Sequence, residues 1–158
     1  MSTALKQQSS AISRAPTPDI TRLLIADSAI GSDDRVVVVG QGSIDHLIGL
    51  VRTGCKSAAT LSPHALGHTE DAADVVWLTG VDSVDDDLAA TVAGLGTPRV
   101  VAIEFTRDGA NLSALLGQLR AKGLVNQTVH RTGGAAGGMV VTATRPAWLR
   151  RVIGEAAQ

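Results

Sequence analysis

Gly40, Gln41 and Gly42 directly follow four valines, Val36 to Val39, and Ser43 opens the next stretch of periodic apolar residues. A backbone free of side-chain bulk turns sharply at such a point and lets a ligand approach. Ser43 is expected to be the N-cap of a helix over 44–53, whose first N–H groups would point at that ligand. Asp45 lies in the first turn, where an acidic residue is commonplace, but it would repel a phosphate. The spacing therefore favours a nucleoside over a nucleotide.

Other residues with chemical potential are weaker signals. His64 and His68 are four apart and, with Glu70 or Asp71, would bind a metal if they shared a helix face. Pro63 and Gly67 disfavour that helix, and the glutamate of the metalloprotease motif is missing. Solvated loop histidines and no metal site are expected. Cys55 follows a helix end, where nothing activates a thiol, and reads as a small buried filler. Thr79, Asp82 and Glu104 stand at or beyond the ends of apolar strands, where α/β folds place catalytic groups. A lone carboxylate there is more often structural. Asp85, Asp86 and Asp87 read as a helix-start cluster rather than a cation site.

These residues need a scaffold, and composition limits which one. The chain has 158 residues, 44% hydrophobic and 18% charged, enough for one domain with a real core. With no Tyr, one Phe and two Trp, that core must be built from Val, Leu, Ile and Ala. The net charge of -1, with no basic stripe and few rings to stack on bases, argues against nucleic acid as a partner. No apolar run approaches the roughly 20 residues that span a bilayer. The single cysteine excludes an intrachain disulfide, and a cytoplasmic location is expected.

The pattern of elements is alternating. A helix over 20–29, capped by Asp19, precedes strands over 36–39, 56–61, 75–78 and 99–105. Helices over 44–53, 85–95 and 111–121 separate them, with Gly54 and Gly123 as stops. Two further strands, 125–131 and 139–144, flank the Gly-rich stretch 133–138 as an antiparallel hairpin, whose tip would be a disordered loop rather than a flap. A helix over 1–13 and another over 147–157 complete the chain. The expected fold is a three-layer α/β, Rossmann-like, mostly parallel sheet of about six strands. An N-terminal helical segment over 1–30 would precede the α/β domain over 31–158.

This order of elements resembles the class I S-adenosylmethionine-dependent methyltransferases, whose strands run 3-2-1-4-5-7-6 with the seventh antiparallel. Residues 36–42 look like the first motif of that family, 58–66 like the segment following that motif, and 73–78 like its fourth strand. The likeness covers roughly residues 35–145 in order and pattern. It implies S-adenosylmethionine as cofactor, with Gly40, Gly42 and Thr60 at the cofactor-binding positions and no residue assigned to catalysis. The pattern departs from the family at three points. Val38 stands where the first strand usually carries an acid, Ile44 where a third glycine falls, and Thr60 where an acid holds the ribose hydroxyls. The connection over 61–74 is too short for a helix, a third strand and a second helix, so a truncated sheet lacking that strand is expected.

Two functions follow from the resemblance. In one, the chain is a degenerate methyltransferase-like domain serving as an interaction or assembly module, with a homodimer formed through the bare edge of the second strand. In the other, it is a methyltransferase acting on a small acceptor. A cleft filled by Ile44 would favour the first, and an open cleft with convergent polar groups the second.

Overall fold

The valine run forms β1 (Arg35–Gly40), whose side chains alternate between two buried faces. In the computed structural model, residues 18–62, 73–107, 111–132, 138–146 and Trp148 are described. After α1 (Pro18–Ser28) and β1 come α2 (Ser43–Arg52), β2 (Ser57–Leu61), β3 (Val75–Val81) and α3 (Asp86–Gly94). The chain continues with β4 (Val100–Phe105), α4 (Leu112–Ala121), β5 (Asn126–Arg131) and β6 (Met139–Thr144).

These strands form one sheet in the order β2-β1-β3-β4-β6-β5. β1 to β4 are mutually parallel, and β6 runs antiparallel between β4 and β5. The expected mostly parallel α/β sheet with a C-terminal antiparallel hairpin is therefore present. Strand order reverses at β1, from which β2 lies to one side and β3 to the other. Right-handed crossovers then put α2 on one face of the sheet and α3 with α4 on the other.

Both faces are dry. Leu88 and Val92 of α3 and Leu115 and Leu119 of α4 pack on Val39, Leu78, Ile103 and Phe105. On the opposite face, Leu24 of α1 and Leu50 of α2 cover Val36, Val38, Trp77 and Ala102. Each such aliphatic side chain contributes roughly 1.5–3 kcal/mol by leaving water. Trp77 is fully buried and donates its Nε1–H to Ser28 Oγ at 3.1 Å, which satisfies its one polar atom.

α1 is bound into this core along its length. Its Thr21 lies so close to Gly49 that a Cβ on Gly49 would be 2.6 Å from Thr21 Cγ2. Asp27 pairs with His130 Nε2 at 2.9 Å and accepts from Thr142 Oγ1 at 3.4 Å. At its carboxyl end, the Arg99 guanidinium donates to the carbonyls of Ser28 and Ala29 and forms an ion pair with Asp34.

Several expected boundaries shift. α1 starts at Pro18, so Asp19 is inside the helix instead of capping it. β3 runs three residues beyond Leu78 because Gly80, at φ 66, lets the strand bend and continue. The metal candidates His64, His68, Glu70 and Asp71 lie outside the described residues, as do residues 1–17, the hairpin tip over 133–137 and most of the segment over 147–157. The connection over 61–74, expected to lack a third strand, lies outside them over 63–72. Among the described residues, no strand lies beyond β2.

Candidate functional site

The turn after β1 is fixed by its neighbour. Gly40 has φ 116, and a Cβ there would lie 2.1 Å from the Thr79 carbonyl oxygen. Glycine at this position is thus demanded by the backbone of β3. Thr79, almost fully buried, donates its hydroxyl to the carbonyls of Gln41 at 2.8 Å and Val39 at 3.2 Å. Gly80 is a second close approach: a Cβ there would be 2.7 Å from Gln41 Cβ. The β3 end therefore cradles the turn from below, a role the sequence pattern did not reveal for Gly80.

Gly42 differs. It is left-handed, with φ 73, and no atom lies within 4 Å of where a Cβ would stand. It is also the N-cap of α2, whose first turn closes through His46 N–H to the Gly42 carbonyl at 3.3 Å. The expected cap, Ser43, is instead the first helical residue, and no side chain caps this end. The positive φ of Gly42 has already turned the chain before Ser43 is reached. The first N–H groups of this helix carry no side-chain cap, an arrangement that suits a polar ligand.

A cleft of about 570 Å³ opens beside this turn at the carboxyl ends of β1 and β3. Its apolar wall includes Val39, Leu78 and Leu88. Asp82, Asp85 and Asp87 supply its charge, and no Lys, Arg or His is among its described lining residues. The cleft sits where strand order reverses, the place at which open α/β sheets bind ligands. Ile44 does not fill it: that side chain is 67% exposed.

The expected site residues divide. Gly40 lines the cleft, while Gly42 borders it through the turn and is outside its lining. Thr60 is exposed on the outermost strand, opposite Val38 in the ladder, and is also outside the lining. Asp45 is exposed in the first turn of α2. Asp82 lines the cleft and accepts from Thr106 Oγ1 at 2.7 Å. Asp85 caps α3, accepting from the Leu88 N–H at 2.9 Å. Among the described residues, no three His, Cys, Asp or Glu side chains are grouped to hold a metal ion.

Glu104 belongs to a different constellation. Its Oε2 lies 3.3 Å from His46 Nε2, and His46 Nδ1 lies 2.8 Å from Thr21 Oγ1. The buried His46 ring also meets Trp77 edge-on, with centroids 5.9 Å apart. This hydroxyl–imidazole–carboxylate chain ties α1 and α2 to β4, and none of its members lines the cleft. His46 was legible in principle: four residues before Leu50, it shares that residue's inward helix face. The described groups with displaced titration, Lys122 and Arg145, are lowered by burial and stand apart from the cleft.

No protein-family model and no curated protein matches the chain. Solved structures do. Human methyltransferase-like protein 13, in complex with SAH, superposes with a TM-score of 0.59 at 14% identity, over 83% of this chain and 84% of its own. A precorrin-6y C5,15-methyltransferase from Geobacter metallireducens GS-15 gives 0.57 at 13%, over 80% and 88%. A METTL16 methyltransferase domain gives 0.53 at 9%, over 82% and 84%. At such identities the likeness is one of fold: the chain has a methyltransferase-like, Rossmann-type architecture.

Proposed function

We propose that this methyltransferase-like domain binds a nucleoside of the S-adenosylmethionine type in the cleft beside Gly40 and Gly42, in the service of methyl transfer to a small acceptor. The carrying observation is the open cleft of about 570 Å³ at the strand-order reversal, a volume within the ordinary range for small-molecule sites. Fit supports the reading in two respects. The space over Gly42 lets a ligand reach the first N–H groups of α2. The carboxylates of Asp82, Asp85 and Asp87 suit a ligand bearing positive charge. The fit is poorer at Thr60, which offers no carboxylate to ribose hydroxyls. When bound, such a cofactor supplies an electrophilic methyl group, and the chain's own part is to hold it with the apolar wall excluding water.

Isothermal titration with S-adenosylmethionine tests the proposal, using Gly42→Asn as the control. Asparagine tolerates the left-handed conformation, so this variant adds bulk over the turn at little cost to folding. Saturable binding that Gly42→Asn weakens supports the reading. No heat at millimolar ligand sinks it.

One observation favours the second reading, an assembly module without catalysis. Ile44, Ile48 and Val51 are exposed in a stripe along α2, next to the outermost strand β2. A second copy of the chain would cover both, and the mass in solution tests this independently of ligand binding. A cytoplasmic location is part of the proposal and is supported by the single free thiol of Cys55.

A further inference from the structure

We infer that the cleft discriminates by charge, holding the sulfonium form of the nucleoside, S-adenosylmethionine, more tightly than its neutral thioether, S-adenosylhomocysteine. The inference rests on the binding proposal above and adds to it which state of the ligand the chain prefers. The two ligands differ only in a methyl group and the charge on sulfur, so the surrounding field decides between them.

The field has one sign. Asp82, Asp85 and Asp87 line the cleft, and no cationic side chain is among its described lining residues. The N-terminus of α3 opposes them with roughly half a positive charge. That end is already answered by Asp85 at the cap and by Asp86 and Asp87 in the first turn. The net local charge is therefore clearly negative. Asp82 is also held in place, because Thr106 Oγ1 donates to its carboxylate at 2.7 Å. A fixed charge acts on the ligand without first losing rotamer freedom.

Magnitudes follow from exposure. In water, an exposed carboxylate near a unit charge is worth only about the thermal energy, roughly a threefold preference per carboxylate. With the helix end offsetting part of this, the expected ratio is about tenfold at low salt. At 0.5 M salt the Debye length falls to about 4 Å, and the ratio should shrink to about twofold.

The test is titration calorimetry with both ligands at 20 mM and 500 mM salt, on the wild-type chain and on Asp82→Asn and Asp87→Asn. Asparagine at 82 can still accept from Thr106, and Asp85 is left alone because it caps α3. The expected result is S-adenosylmethionine bound about tenfold more tightly at low salt. High salt and either variant should narrow that gap, while the affinity for S-adenosylhomocysteine, the control for folding, changes little. Equal or tighter binding of S-adenosylhomocysteine, or a gap indifferent to salt and to both variants, overturns the charge inference alone. Failure of both ligands to bind overturns the binding proposal and the inference with it.

Discussion

Thr79 holds Gln41: its hydroxyl donates to the Gln41 carbonyl at 2.8 Å while its own carbonyl fills the space where Gly40 would carry a Cβ. One residue of β3 thus fixes both the shape and the composition of the turn after β1. Thr79→Val keeps the volume and removes the donor, and should cost about 1–2 kcal/mol in urea denaturation. Thr79→Ser should recover most of that loss, since the hydroxyl returns.

The two turn glycines should respond differently to the same change. At Gly40 an added methyl meets backbone at 2.1 Å, which no rotamer can relieve. Gly40→Ala is expected to cost about 3 kcal/mol or more. Gly42→Ala, with open space around it, should cost only the left-handed conformation, about 1–2 kcal/mol. Equal losses in chemical denaturation would show that the cradle by Thr79 is not what selects Gly40.

His46 joins three elements, so its removal should be felt beyond its own helix. His46→Ala leaves the Thr21 hydroxyl and the Glu104 carboxylate without this partner and opens a gap beside Trp77. A loss of about 2–4 kcal/mol is expected. Combined with Glu104→Gln in a double-mutant cycle, a coupling of about 1 kcal/mol should appear. Trp77 is buried and Trp148 64% exposed, so fluorescence in a Trp148→Phe background reports the site selectively.

The assembly reading expects a sedimentation mass of twice 16.2 kDa. Ile48→Glu and Val51→Glu should return it to a single chain without loss of thermal stability, because both positions are solvent-exposed. An unaltered monomer mass in the wild type would remove that reading and leave ligand binding untouched.

Burial, and after it the charge of Arg145, hold Lys122 below its ordinary 10.5. Between its folded value and 10.5 the unfolded chain binds the extra proton, so stability should rise with pH across that window. Below the window the cationic form carries a constant cost. The urea midpoint should climb as pH approaches 10.5 from below, and Lys122→Met should flatten that climb. Arg145→Gln should reduce it, since the like charge that repels the Lys122 ammonium is gone.

The layered architecture was readable because its signals are local. Four valines, the Leu115 and Leu119 spacing and the stops at Gly54 and Gly123 each need only neighbouring residues to be interpreted. The site was less readable because its determinants are contacts between distant segments. Gly40 reads as a turn glycine from its neighbours alone, but that Thr79, 39 residues away, leaves no room for a Cβ there is visible only in the fold. Ser43 has the right chemistry for a cap and loses the place to Gly42, whose conformation shifts the helix start by one residue. Glu104 stands where such folds place catalytic groups but reads as structural, and its partner His46 is visible only once α2 is laid on β4.

The anchoring of α1 also bears on how the chain comes off the ribosome. Asp27 meets Thr142, 115 positions later, so a helix made early has partners made much later. At ordinary elongation rates of about 5–20 residues per second, that gap lasts roughly 6–23 s. Throughout it, Leu24 and its neighbours wait without the strand that finally covers them, and the nascent domain cannot close until β6 slides between β4 and β5.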